Sequence, residues 1–409
     1  MQSGGFDGTV IAVNPALGVP TLTQPCDLAL ISVPAAAVPD AVADAARAGC
    51  KAAIVLSSGF GETGEEGRLV ETSLRETARA AGMRLVGPNC MGVVSRYEDG
   101  WLNGSYFWQA ALPPMRRGEG RVGGVSLVSQ SGAFGGMFFA EARRRQLGVA
   151  RFLSVGNSAD VSLTDALEYL GADPETAVVG IFAEAFPDGR RFVEVARRIT
   201  PRKPVVVLKA GKGGRGAAAA ASHTGSLAGS HAAAQAAFRR AGVLEAQDTG
   251  AFFDALTVLE AGRKAGHRVA ILTISGGPGV LASDQAERSG LELPAPGAAT
   301  VDKLRRLAPP FAALGNPLDL TPQCPPANFT EAIEAVFLDR AYDGVIVINC
   351  GLDIPEFGEG VAAAAHATAK PVTAYLLETP RIEARLREAG IPLLDSPERA
   401  VSAYAVMTR

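Results

Sequence analysis

Gly124-Val-Ser-Leu-Val-Ser-Gln-Ser-Gly-Ala-Phe-Gly135 is the stretch on which the fold turns. An apolar run, Gly124–Val128, passes through Ser129-Gln130-Ser131-Gly132 and opens an Ala/Phe-rich helix. Ser131 is suited to cap that helix, and the glycines let backbone N–H groups close on an oxyanion at its N-terminus. The same device recurs at Val269–Val280, where Thr273-Ile-Ser-Gly-Gly-Pro-Gly-Val280 follows another apolar run and Pro278 suits the first helical position. In open α/β sheets such turns lie at the carboxyl ends of strands, where ligands bind. One glycine-rich turn alone is commonly steric; two place two helix dipoles at the service of one anion.

Outward from these turns, short Val/Ile/Leu runs alternate with amphipathic Ala/Arg/Glu-rich stretches. Strands are predicted at Thr9–Val13, Leu28–Val33, Ala53–Leu56, Arg84–Val86, Gly124–Val128, Ala177–Ala183, Pro204–Lys209, Val269–Thr273, Gly344–Asn349 and Pro371–Tyr375. Helices are predicted at Val38–Ala48, Glu65–Ala81, Val161–Leu170, Arg190–Arg198, Ser230–Ala241, Leu281–Arg288 and Pro380–Ala389. Continuous apolar strands need both sheet faces covered, so the pattern means a doubly wound α/β architecture. Breaks at Leu112–Gly120 and Ala261–Gly266 divide the chain into units expected at 1–115, 118–260 and 265–409.

Composition narrows the function classes. At 409 residues, 47% hydrophobic and 20% charged, the chain has core material for more than one domain. A net charge of −3 with no basic stripe argues against nucleic acid, so phosphate ligands must be met locally. Five scattered cysteines without CxxC spacing suggest reduced thiols, and four distant histidines suggest no metal site. The N-terminus has no basic and apolar leader pattern, and no apolar run approaches ~20 residues. A cytoplasmic protein without a membrane span is expected.

His223 stands in Ser222-His-Thr-Gly-Ser-Leu-Ala-Gly229, after an alanine run and before a helix. Small residues on both sides present it on a loop where backbone approaches an anion closely. Imidazole titrates near neutrality and is a competent nucleophile toward phosphorus; an exposed histidine beside a helix cap is the plainer alternative. Glu184 ends the strand Ala177–Ala183 and is either solvated or the carboxylate that orients His223. Asn157 and Asp160, in Ser154–Asp160, read as caps of the following helix. Ser32–Ala35, Leu56–Glu62 and Gly87–Gly92 all follow strands and share one edge of a nucleotide-type site. Cys90 has no basic neighbour in sequence and reads as a structural thiol.

Together these segments resemble the nucleoside-diphosphate-forming acyl-CoA synthetases, the superfamily of succinyl-CoA synthetase, above all the α subunit of ADP-forming acetate–CoA ligase. The resemblance rests on Gly59–Gly67, Gly87–Val93, Ser126–Gly135, Ser154–Val161, Lys209–Ser230, Ser275–Asp284 and Asn316–Pro322. It implies a Rossmann-like CoA-binding domain followed by two flavodoxin-like ligase domains. It also implies acyl phosphate and phosphohistidine intermediates, with His223 as phosphoryl carrier and Glu184 as its orienting carboxylate. Ser129, Ser131, Gly132, Gly225, Ser226, Gly276, Gly277 and Gly279 are implied at the phosphoryl group, and Asn14, Val33, Pro34, Ser57, Ser58 and Asn89 at CoA. The substrates implied are CoA and a small carboxylic acid, with ATP or ADP and Mg²⁺ entering through an ATP-grasp β subunit. The family's first strand and glycine-rich turn precede the segment matching Gly4–Gly8 and are not in this sequence, so reduced CoA binding is expected. A non-catalytic acyl-CoA-binding regulatory module is the alternative, disfavoured by the retained His223 and Glu184. An NAD(P) oxidoreductase fails for lack of a GxGxxG turn in the first unit.

Overall fold

A computed structural model describes residues 6, 8–14, 18–19, 21–22, 24–97, 100–107, 112, 123–216, 218 and 230–409. His223, Gly225 and Ser226 lie outside the described residues, as does the Leu112–Gly120 break apart from Leu112. The chain forms two compact units, Met1–Phe252 and Phe253–Arg409.

In the first unit, strands β1 (Leu28–Ile31), β2 (Ala52–Val55) and β3 (Arg84–Val86) form a parallel sheet in that order. Helices α1 (Val38–Arg47) and α2 (Glu65–Ala80) connect them; Asp40 and the Glu65–Glu66 pair in their first turns and Arg47 and Arg79 in their last suit the helix dipoles. Next come β4 (Gly92–Tyr97), β5 (Gly100–Ser105), β6 (Gly124–Ser129), β7 (Val149–Ser154), β8 (Thr176–Ala183), β9 (Val205–Lys209) and β10 (Leu244–Glu245). They form one sheet in the order β10-β9-β8-β6-β7-β4-β5. Its parallel part, β7-β6-β8-β9-β10, is a flavodoxin-like 2-1-3-4-5 arrangement, and the β4–β5 hairpin adds antiparallel to β7. Helices α3 (Gly132–Arg145), α4 (Leu163–Ala172), α5 (Gly189–Ile199) and α6 (His231–Ala241) accompany that sheet. Phe134 stacks on Phe182 at 4.3 Å between ring centroids, and Phe139 packs against Phe152 at 5.2 Å, sealing α3 to the strands.

Helix α7 (Thr249–Glu260) leads into the second unit. There β11 (Val269–Thr273), β12 (Ala313–Leu314), β13 (Leu318–Asp319), β14 (Gly344–Cys350), β15 (Val372–Leu377) and β16 (Leu393–Leu394) are ordered β12-β13-β11-β14-β15-β16. The five parallel strands again read 2-1-3-4-5, with the short β12 antiparallel at the edge. β11 and the first six residues of β14 alike are fully buried, the outcome expected of strands covered on both faces. Helix α8 (Gly276–Arg288) follows β11 directly. Asn316 knits the sheet by accepting from Ile271 N–H and donating to the Val269 and Pro294 carbonyls, which accounts for the Asn-Pro-Leu-Asp motif.

Thr9–Val13, expected as a strand, is not one. Val10 and Val13 are exposed, and the only pairing nearby among the described residues is the Asn14–Val19 bridge, so the run has no neighbouring strand to satisfy its backbone.

The loop after β7 joins the two sheets of the first unit. Asn157, Ala159 and Val161 donate backbone N–H groups to the carbonyls of Pro88, Gly87 and Leu85 at 3.0 Å each. Asp160 does not cap the next helix; Ser162 does, in a capping box with Asp165. The fully buried Asp160 carboxylate instead accepts from Arg79 and Arg84 at 2.8 Å and from Leu85 N–H at 3.0 Å. Burial alone would raise its pKa, but the Arg84, Leu85 and Arg79 hydrogen bonds outweigh it and hold the group below the usual carboxylate range. A depressed native pKa stabilises the fold above the unfolded value of about 3.9 and loses that contribution as pH falls through the native value. Asp160→Asn is therefore expected to destabilise the first unit by about 2 kcal/mol at pH 7, with the deficit shrinking toward pH 2 in urea titrations.

Candidate functional site

At the carboxyl ends of the first unit's strands lies a cavity of about 590 Å³. The turn after β1 contributes Val33 and Pro34, the turn after β2 contributes Ser57 and Ser58, and the turn after β3 contributes Asn89. From the second sheet, the turn between β6 and α3 contributes Gln130, Ser131 and Gly132. Residues read as CoA contacts and residues read as phosphoryl contacts thus line one cavity. Asn14 does not line it; it is exposed and bridges to Val19.

Its walls are fixed locally. Ser57 Oγ donates to the Val33 carbonyl at 2.5 Å, tying the first two turns together. Asn89 takes a left-handed conformation, φ 55°, after a cis Gly87–Pro88 bond, and its N–H donates to the Ser57 carbonyl at 2.8 Å. Gly156 presses against this turn: a Cβ there would lie 2.3 Å from the Pro88 carbonyl oxygen, so no larger residue fits. Tyr106, at the end of the β4–β5 hairpin, reaches across to Ser32 Oγ at 2.8 Å.

The β6–α3 turn is braced from below. Buried Ser129 accepts from Ser131 N–H at 3.1 Å and donates back to the Ser131 carbonyl at 2.6 Å. Ser131 is the N-cap of α3 and accepts from Phe134 N–H, so the following glycine opens the helix at the cavity. Gln130 Oε1 accepts from the N–H groups of Glu184 and Ala185 at 2.6 and 3.1 Å, while its Nε2 donates to the Ala185 carbonyl at 3.2 Å. The end of β8 is thereby fastened to the β6–α3 turn across the switch point of the sheet. Glu184 is buried, and Lys209 Nζ donates to its carbonyl at 2.7 Å. Burial pushes the Lys209 ammonium down in pKa, against the upward pull of the Glu184 and Glu245 charges.

The second unit repeats the brace. Thr273 Oγ1 accepts from Ser275 N–H at 2.8 Å and donates to the Ser275 carbonyl at 3.0 Å. Ser275 Oγ accepts from Cys350 N–H at 3.2 Å, fastening the end of β14 as Gln130 fastens the end of β8. Gly276, Gly277 and Gly279 form the first turn of α8. A Cβ at Gly277 would meet nothing within 4 Å, so this turn presents open backbone.

Spacing in sequence did not reveal Tyr106, Gln130 or a carboxylate pair behind the cavity. Asn157 is no cap: its Nδ2 donates to Glu62 at 2.5 Å and Glu71 at 2.6 Å. Burial raises the Glu71 pKa, whereas at Glu62 the N–H donors of Gly59, Asn157 and Phe60 outweigh burial and lower it. Among the described residues no cluster suits a metal ion, and no helix is long and apolar enough to cross a membrane.

Residues 2–96 match the family described as CoA binding domain, residues 122–259 the succinyl-CoA ligase like flavodoxin domain, and residues 269–350 the ligase-CoA domain. ADP-forming acetate–CoA ligase II subunit alpha of Pyrococcus furiosus is 36% identical over 392 residues, 93% of this chain and 83% of that one. ADP-forming acetate–CoA ligase I of Archaeoglobus fulgidus is 38% identical over 417 residues, 99% of this chain and 59% of that protein. The dinucleotide-forming acetyl-coenzyme A synthetase 1 of Ca. Korarchaeum cryptofilum, solved with phosphate and ADP, superposes with a TM-score of 0.88 at 32% identity. That superposition covers 99% of this chain and 89% of the other. The chain belongs to the ADP-forming acyl-CoA synthetases, acid–CoA ligases of the succinyl-CoA synthetase superfamily. Within them it corresponds to the alpha subunit, or alpha portion, of the ADP-forming acetate–CoA ligases.

Cys90 faces the same cavity, yet its thiol is buried, donates to the Val55 carbonyl at 3.3 Å, and is pushed up to about 12 by burial. In the native protein at pH 8, Cys90 is expected to resist iodoacetamide and to be alkylated only after denaturation, as read by peptide mass spectrometry.

Proposed function

We propose that this chain makes acyl-CoA through phosphoryl transfer on His223, in concert with an ATP-grasp β subunit in the cytoplasm. The γ-phosphoryl group of ATP, bound with Mg²⁺ on the partner, passes to the His223 imidazole and leaves ADP. The phosphoryl group then moves to a carboxylate oxygen of the small acid, giving the acyl phosphate and freeing His223. Attack of the CoA sulfur on the acyl carbon forms the thioester and releases inorganic phosphate, which carries away the thiol proton. The reverse sequence makes ATP.

One observation carries this reading: a single cavity joins Val33, Pro34, Ser57, Ser58 and Asn89 to the N-terminal turn of α3 at Ser131 and Gly132. An elongated thiol substrate held by the first group has its reactive end beside N–H donors suited to a phosphoryl oxygen. In the second unit, Gly276, Gly277 and Gly279 open a helix N-terminus of the same kind, suited to a phosphoryl oxygen. Glu184 would accept the second imidazole N–H of His223, fix its tautomer and stabilise the charged phosphoimidazole. Gly225 and Ser226 accompany the histidine as backbone and hydroxyl donors.

Incubation with γ-labelled ATP, Mg²⁺ and the ATP-grasp partner is expected to place an acid-labile, base-stable label on His223. His223→Ala should abolish the label, and Glu184→Gln should slow its formation about 10- to 100-fold. Absence of label on folded wild-type protein overturns the proposal.

A further inference from the structure

Asn89 and Asn157 side-chain amides both have a donor end and an acceptor end, and geometry alone leaves either free to turn over. Here the choice is forced. Asn157 Nδ2 faces two carboxylates at once, Glu62 Oε2 at 2.5 Å and Glu71 Oε1 at 2.6 Å. Ionised carboxylates accept and do not donate, so with Glu62 and Glu71 ionised both N–H bonds of that nitrogen are committed. The carboxylates are themselves anchored: Glu62 accepts from Gly59 and Phe60 N–H at 2.6 and 3.2 Å, and Glu71 accepts from Gly61 N–H at 2.9 Å. Asn157 Oδ1 must then point the other way, where it accepts from Asn89 Nδ2 at 3.2 Å. Asn89 is part of the cavity wall, and its backbone is pinned to Ser57.

We infer that the Glu62–Glu71 pair, acting through Asn157, fixes Asn89 with its Oδ1 toward the cavity, so that the site selects a ligand presenting an N–H donor there. Resting on the functional reading above, this assigns the secondary-amide arm of a thiol substrate as what Asn89 recognises. Glu62, Glu71 and Asn157 are positioning residues; none lines the cavity itself. Turning Asn89 over would set its Nδ2 against the ligand N–H and its Oδ1 against Asn157 Oδ1, two donor–donor or acceptor–acceptor clashes opposed by the committed amide. Specificity follows from the unpaired group an incorrect ligand leaves behind.

The test is calorimetry on the full chain with CoA and with a CoA analogue whose pantetheine amide N–H groups are replaced by ester oxygens. Wild-type protein is expected to bind the ester analogue at least tenfold more weakly. In Glu62→Gln/Glu71→Gln the glutamines offer donors as well as acceptors, Asn157 is free to turn, and the ratio should fall to about twofold while CoA still binds. Should the double variant not fold, Glu62→Gln alone is expected to lower the ratio about threefold, and Glu62→Asp to restore part of it. A merely structural role would weaken both ligands equally and leave the ratio unchanged. An unchanged ratio in folded variants, or equal binding of the two ligands by wild type, overturns the inference alone; no CoA binding by wild type overturns the functional reading beneath it.

Discussion

The buried Asp160 carboxylate is the interaction on which the first unit depends. It satisfies a strand N–H of the CoA-binding sheet and two arginines while sitting on the loop that leaves the ligase sheet. A buried carboxylate is tolerable only when its acceptor sites are filled, and here three donors fill them. Removing it would leave the Ser154–Val161 loop held to the end of β3 only by its backbone hydrogen bonds to Leu85, Gly87 and Pro88, and would loosen the Gly156 contact that shapes the Pro88–Asn89 turn. The cavity exists because this loop holds the strand ends of one sheet against the first helix turn of the next.

The two 2-1-3-4-5 sheets solve one problem in the same way. Each first strand ends in a hydroxyl, Ser129 or Thr273, that both accepts from and donates to the residue two positions on. Each following turn is then fastened to the end of the third strand of its fold, by Gln130 in one unit and Ser275 in the other. A helix N-terminus aimed at an anion is useful only if its turn does not relax when the anion leaves. Hydroxyl and amide braces supply that stiffness without placing a competing charge on the turn.

Legibility in the sequence tracked the length scale of each signal. Strands such as Val205–Lys209 and Val269–Thr273 were readable because parallel strands buried on both faces are largely continuous apolar runs. The strand Val149–Ser154 was not, since Arg151 interrupts it and pairs with Asp173. The Gly92–Ser105 hairpin was also missed: Ser95, Arg96, Asn103 and the glycines dilute its pattern, and its place beside β7 is a tertiary fact. Ser131, Gly132 and Asn89 were legible as local turns. The Glu62–Glu71–Asn157 cluster was not, because Asn157 is 95 and 86 residues from its two acceptors and no spacing rule spans such a gap.

The cavity wall holds serines, an asparagine, a glutamine, a tyrosine, apolar residues and backbone, and no lysine, arginine, aspartate or glutamate among its described lining residues. For an acyl-CoA synthetase this restraint has a chemical logic. In the proposed function phosphate is a group to be passed on and finally released, so a fixed cation binding every phosphorylated species alike would deepen every ground state together. Helix N-termini and neutral donors give a weaker, oriented field that favours charge where it develops. The charges lie one layer back instead: Lys209 is buried against the Glu184 carbonyl, and the half-buried Glu62 and Glu71 accept from Asn157. There they hold polar groups in orientation and do not line the cavity themselves, as the proposed passage of a phosphoryl group would favour.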